Sequence, residues 1–77
     1  EMNTFDKVKS VIVESLNCDE ALVTPEARLV EDLGADSLDA VELIMAMEEA
    51  CNMTFEEDAA TQMQTVGDIV SYIDAHQ

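Results

Sequence analysis

Apolar residues recur at helical spacing in three stretches of the chain, and between them the spacing is lost. In FDKVKSVIVESL, Phe5, Val8, Ile12 and Leu16 share one face at about 100° per residue, which predicts a first helix from Thr4 to Leu16. The spacing returns from Ser37 to Cys51, predicting a second helix. A last helix opens at Thr65, where Val66, Ile69, Val70 and Ile73 form one stripe and Asp68, three residues on, makes a near capping box. A short, poorly marked helix is expected around Glu56 to Thr61. No segment alternates as a strand does. The pattern predicts an all-α fold, a small four-helix bundle of three main helices and one short helix, in a single domain spanning residues 1–77.

Between the first two helices runs a long connection, from Asn17 to about Asp36, punctuated by Pro25 and Gly34. Leu22, Leu29, Val30 and Leu33 are expected to dip from it into the core. A structureless stretch of this length is uncommon in a small domain and often carries function.

The second helix has two apolar faces. Ala40, Leu43, Ile44, Met47 and Cys51 cluster on one arc, wide enough to face the core. Leu38, Val41 and Met45 fall on another, flanked by Asp39, Glu42, Glu48 and Glu49. A helix in so small a bundle need bury only one stripe. The second is therefore packed beneath the long loop or exposed with an acidic rim. In the exposed case, apolar contact supplies affinity while the acids pair with Arg or Lys of a partner.

Charge narrows the partners. Eighteen acidic side chains face three basic ones, Lys7, Lys9 and Arg28, for a formal net charge of −15. Nucleic acid is disfavoured, since phosphates must be neutralised by Lys and Arg. Anionic membrane surfaces are disfavoured for the same reason, whereas basic proteins would be attracted and steered. The same charge makes the domain soluble and, through self-repulsion, opposes its folding. No loop carries the alternating Asp/Asn ligands and central Gly of a calcium site. Cys18 and Cys51 match no metal-ligand spacing, and nothing marks the chain as secreted, so a disulfide is not expected. Neither a signal or transit peptide nor a membrane-length apolar run is read, which places the protein in the cytoplasm, or inside an organelle if a transit peptide was removed. Glu1 ahead of Met2 reads as a residue added before a natural start. Five methionines and only three aromatic side chains, Phe5, Phe55 and Tyr72, suggest packing that adapts.

The candidate chemistry lies in VEDLGADSLDAVELIM, where Ser37 stands between two aspartates at a helix start. A nucleophilic serine needs a base and an oxyanion hole. The single histidine is His76, near the end of the chain, and the Gly-x-Ser-x-Gly elbow is absent. No catalytic residue is assigned. Asp36 or Ser37 could cap the helix, and an aspartate cap leaves the serine hydroxyl free in the first turn. A third role is covalent modification: a phosphate there is stabilised by the free N–H groups and the helix dipole. Gly34 lets the chain turn sharply into the helix.

The run VEDLGADSLDAVELIMAMEEA resembles the signature of the acyl carrier proteins, above all those of dissociated (type II) fatty-acid synthesis. The resemblance extends over the chain, through the first helix, the long loop, the short third helix and the closing SYIDAHQ. It implies that Ser37, flanked by Asp36 and Leu38, receives 4′-phosphopantetheine from coenzyme A, installed by a separate phosphopantetheinyl transferase. The thiol of that arm would carry growing acyl chains as thioesters between fatty-acid synthase enzymes and acyltransferases with basic docking patches. Partner recognition would fall to Asp36, Leu38, Asp39, Val41, Glu42, Met45, Glu48 and Glu49. An acyl chain would be sheltered among Val30, Leu33, Leu43, Ile44, Met47, Phe55, Ala60, Met63 and Ile69, which read equally well as an ordinary core. Neither enzymatic activity, a metal nor membrane insertion is implied, and a monomer is expected. One departure stands out: where the family has an Ile-Pro pair before the third helix, this chain has Phe55-Glu56, so a proline's fixed entry angle is missing. A carrier of a polyketide, peptidyl or dedicated lipid pathway remains an alternative. So does an acidic interaction module that uses Ser37 only as a cap.

Overall fold

Each main helix is started by a side chain that takes up one of the free N–H groups of its first turn. The computed structural model of the chain describes residues 3–76, so the reading of Glu1 and Met2 lies outside the described residues. Helix α1, Thr4–Leu16, is capped by Asn3, whose Oδ1 accepts from the Asp6 N–H at 2.8 Å. It stops at Asn17, which takes the left-handed conformation (φ 54°) that Asn tolerates better than most residues. Helix α2, Ser37–Cys51, ends in the same way at Asn52 (φ 52°). The bounds of both helices match those expected.

Helix α3 is a single turn, Ala59–Gln62, beginning three residues later than expected. The delay has a local cause. The Phe55 and Glu56 N–H groups donate to the Glu48 carboxylate (2.7 Å) and the Tyr72 hydroxyl (2.8 Å), which holds that stretch out of the helix. Helix α4, Val66–His76, starts one residue later than expected because Thr65 serves as its cap. The Thr65 Oγ1 accepts from the Asp68 N–H (3.1 Å), while the Asp68 carboxylate accepts from the N–H groups of Thr65 (3.1 Å) and Gln64 (2.9 Å). The capping box is complete.

Helix α1 packs against both α2 and α4, and the Thr4 hydroxyl donates to Asp74 at 2.7 Å, tying the start of α1 to the last turn of α4. Val8, Ile12, Leu43, Met47, Val66, Ile69 and Ile73 are fully buried at the centre. The described residues span about 30 × 27 × 19 Å and contain no strand.

The long connection is not structureless. A 3₁₀ turn, Glu20–Leu22, is followed by hydrogen-bonded turns that bury Val23, Ala27, Leu29 and Ala35. Leu29 N–H donates to the Gln64 carbonyl (2.9 Å) and Val66 N–H to the Ala27 carbonyl (3.0 Å), forming an isolated antiparallel bridge between Arg28 and Thr65. One step further, Gly67 N–H donates to the Pro25 carbonyl at 2.8 Å, and a Cβ on Gly67 would meet that oxygen at 2.9 Å. Only glycine allows the approach. Two expectations for this segment fail, since Leu22 and Val30 are 52% and 59% exposed. The bridge and the turns around it point Ala27 and Leu29 inward, and the neighbouring Val30 points out. Leu33 is half-buried against the core. Both cysteines are free thiols, Cys51 buried and Cys18 half-buried.

Candidate functional site

Ser37 occupies the first position of α2, and the capping there is done by its neighbours. The Asp36 Oδ1 accepts from the Asp39 N–H at 2.9 Å, and the Asp39 Oδ2 accepts in return from the Asp36 N–H at 3.1 Å. This reciprocal box caps the helix through the Asp36 and Asp39 N–H groups, without the serine hydroxyl. Ser37 is exposed. Ahead of it, Gly34 adopts φ +75° with nothing within 4 Å of a Cβ position, so the glycine there serves backbone conformation and not space.

Beside Ser37 lies a cleft of about 580 Å³ between the start of α2, the loop and α3. Val30, Val41, Ala60 and Met63 give it apolar walls, while Glu31, Thr61 and Gln64 supply polar groups. A smaller depression of about 200 Å³, bordered by Ile44, Met45 and Phe55, shares Val41 and Ala60 with it. The two together trace a groove between α2 and α3. A larger depression, about 740 Å³, lies along α1 among Asp6, Lys9, Ser10 and Glu14 and touches none of the predicted residues.

The nine residues expected to shelter an acyl chain fall into distinct places. Val30, Ala60 and Met63 line the cleft beside Ser37. Ile44 and Phe55, with Ala60 again, line the smaller depression. Leu43, Met47 and Ile69 are wholly buried in the core, and Leu33 packs against its edge. Ala40, assigned from the helical wheel to the core stripe, is half-buried and lines the cleft. Glu31, Thr61 and Gln64 were not singled out. Polar residues in a loop or a one-turn helix leave no periodic trace in the sequence.

The second apolar stripe of α2 is uncovered: Leu38, Val41 and Met45 are 65%, 50% and 61% exposed. Glu42 and Glu49 stand exposed beside it, whereas Asp36, Asp39 and Glu48 also serve the fold through the hydrogen bonds described. Opposite charge is scarce here. Arg28 donates at 2.9 Å to Glu31 of the cleft lining, and that hydrogen bond, with the attraction of the Glu31 charge, raises the guanidinium pKa further. His76 stacks on Tyr72, with ring centroids 4.0 Å apart.

Known proteins resemble the chain that carries this site, in sequence and in fold. Residues 6–73 match the family model for the phosphopantetheine attachment site. An acyl carrier protein of Helicobacter hepaticus is 49% identical over 76 residues, covering 99% of this chain and all of that protein. A solved structure from Mycobacterium tuberculosis, provisionally described as an acyl carrier protein, superposes with a TM-score of 0.89 at 27% identity, over 97% of this chain and 100% of its own. The chain belongs to the phosphopantetheine-attachment family and, within it, to the acyl carrier proteins. It is accordingly a carrier and not an enzyme, and phosphopantetheine is its prosthetic group. The residues beside the cleft fit such a group: a reachable hydroxyl, backbone N–H groups at a helix start, and a lining of both polar and apolar side chains. No helix among the described residues is long and apolar enough to cross a membrane.

Proposed function

We infer that the chain serves fatty-acid synthesis as a single carrier domain over residues 1–77, with 4′-phosphopantetheine held through a phosphodiester on the Ser37 hydroxyl. The observation that carries this reading is the Asp36–Asp39 box, which leaves Ser37 exposed and unemployed at the mouth of the cleft. When bound, the group supplies a flexible arm ending in a thiol, on which acyl chains are held as thioesters. The chain's own part is to present and to shelter. The start of α2 offers N–H groups and a positive dipole end to a phosphodiester's negative charge. Ser37 has no base of its own, so a separate phosphopantetheinyl transferase takes the hydroxyl proton. The Oγ–phosphorus bond forms as the bond to the adenine-nucleotide half of coenzyme A breaks. Asp36 and Leu38 flank the point of attack.

Partner enzymes of fatty-acid synthesis, and acyltransferases with basic patches, dock on α2 in this reading. Leu38, Val41 and Met45 are the apolar contacts, and Glu42 and Glu49 are the freest charges for a partner's Arg and Lys. Asp36, Asp39 and Glu48 add charge while keeping their internal bonds. Val30, Ala60, Met63, Ile44 and Phe55 line the way in for an acyl chain, towards Leu33, Leu43, Met47 and Ile69. The carrier acts as a monomer in the cytoplasm or an organelle interior.

Intact mass spectrometry tests the attachment. After incubation with coenzyme A and a transferase, the parent chain gains one phosphopantetheine and Ser37→Ala gains none. A parent chain that stays unmodified with more than one transferase, or an alanine variant that is still loaded, overturns the assignment.

A further inference from the structure

Helix α3 is one turn long and Asp58 caps none of its backbone N–H groups, although the Thr61 hydroxyl and the Gln62 amide donate back to Asp58 at 2.7 and 3.3 Å. It is held from its two ends. Behind it, the Leu29–Gln64 and Val66–Ala27 hydrogen bonds fasten the chain to the loop. Ahead of it, the Phe55 N–H is taken by Glu48 and the Glu56 N–H by the Tyr72 hydroxyl. The Tyr72 ring is stacked on Phe55 (centroids 4.7 Å apart, planes at 21°) and on His76 (4.0 Å, 13°), so packing fixes where its hydroxyl points.

The contact is made at residue 56 through its backbone N–H. A proline there would have no N–H and a fixed φ. Glu56 has an N–H, and Tyr72 uses it. A ring constraint is permanent, whereas an exposed hydrogen bond breaks and reforms at small cost. Since Ala60 borders both the cleft at Ser37 and the neighbouring depression, release of the chain ahead of α3 moves a shared wall of the groove.

We propose that Tyr72 is a positioning residue, a releasable latch whose hydroxyl holds the Glu56 backbone and thereby sets the width of the groove between α2 and α3. The proposal rests on the carrier reading only for what the groove receives.

Tyr72→Phe keeps the stack and removes the acceptor. On the full, unmodified chain, hydrogen exchange at the Glu56 amide should rise about five-fold, the equivalent of losing one exposed hydrogen bond. Binding of the neutral apolar dye Nile red should rise with it. Ile12→Val, in the central core, is the control that lowers global stability without touching the latch. Glu56→Pro removes the donor, so adding Tyr72→Phe to it should change dye binding no further. The latch is overturned by unchanged Glu56 exchange in Tyr72→Phe, by dye binding that merely tracks global stability as in Ile12→Val, or by an undiminished Tyr72→Phe effect beside Glu56→Pro. Both readouts use unmodified protein, so failure here leaves Ser37 loading untouched, and failure of loading leaves the latch standing.

Discussion

The two faces of α2 are built from the same kinds of side chain and have opposite fates. Leu43 and Met47 are wholly buried, and Ile44 and Cys51 are 9% exposed, whereas Leu38, Val41 and Met45 keep half or more of their surface in water. Hydrophobicity alone does not separate them. Position does: the first set faces α1 and the centre of the bundle, and the second stays half or more exposed, with only Val41 and Met45 bordering the groove towards α3. Buried apolar surface is what stabilises a domain this small, so an uncovered apolar stripe rimmed by acids is better explained by binding than by folding.

Substituting one leucine from each face gives the largest contrast. Leu43→Ala should lower the unfolding free energy by about 2–5 kcal/mol, through lost burial and the cavity left behind. Leu38→Ala should leave it within about 0.5 kcal/mol, as exposed substitutions do. The order should reverse in acyl transfer by a partner enzyme, where Leu38→Ala lowers kcat/KM by roughly ten-fold. Urea midpoints beside transfer kinetics decide it, and equal stability losses would erase the distinction between the faces.

The acids of that face divide in a similar way, with smaller effects. Glu42→Lys should weaken association with a basic partner several-fold at low salt, and the loss should shrink as ionic strength rises. The fold should tolerate it, because relieving one negative charge among so many favours the compact state. Glu48→Lys should also destabilise the domain by about 1 kcal/mol, since the Phe55 N–H loses its acceptor. Paired binding isotherms and melting curves separate the two roles.

The smallest effect belongs to the start of α4, away from the proposed docking face. The N–H groups of Gln64 and Thr65 hold the Asp68 carboxyl below its ordinary value. Its charged form is therefore favoured in the folded state. That stability is complete above the ordinary carboxylate pKa and is lost as pH falls through the depressed folded value. Asp68→Asn should accordingly be less stable than the parent at neutral pH, with the gap closing in acid. Urea midpoints across pH read it directly, and a constant gap would assign the loss to geometry alone.

The α2 contrast also shows what could be read from the sequence. Two arcs on a helical wheel placed both stripes of α2, and helical spacing gave both ends of α1 and α2 because the Asn and Asp caps sit where the spacing stops. The role proposed for Ser37 rests on the resemblance to carriers, together with the capping argument. The loop was opaque for a physical reason. Its buried residues Val23, Ala27 and Ala35 follow no period, and the hydrogen bonds that tie Pro25 and Ala27 to the start of α4 are encoded by no local pattern. The same holds for Tyr72 and Glu48: an aromatic side chain outside the apolar stripe of the last helix and an acid read as part of the docking face both serve as acceptors for a backbone N–H elsewhere in the chain.

The contact between Gly67 and Pro25 bears on the order in which the chain acquires its structure. Closing it encloses roughly forty residues, including all of α2 and α3, and the conformational entropy of that enclosure must be lost before its short hydrogen bonds contribute. Helices α1 and α2 form from local contacts, but the segment that leads into Ser37 is anchored only after α4 has arrived. A segment that follows Ser37 by about thirty residues thus completes the mounting of the serine.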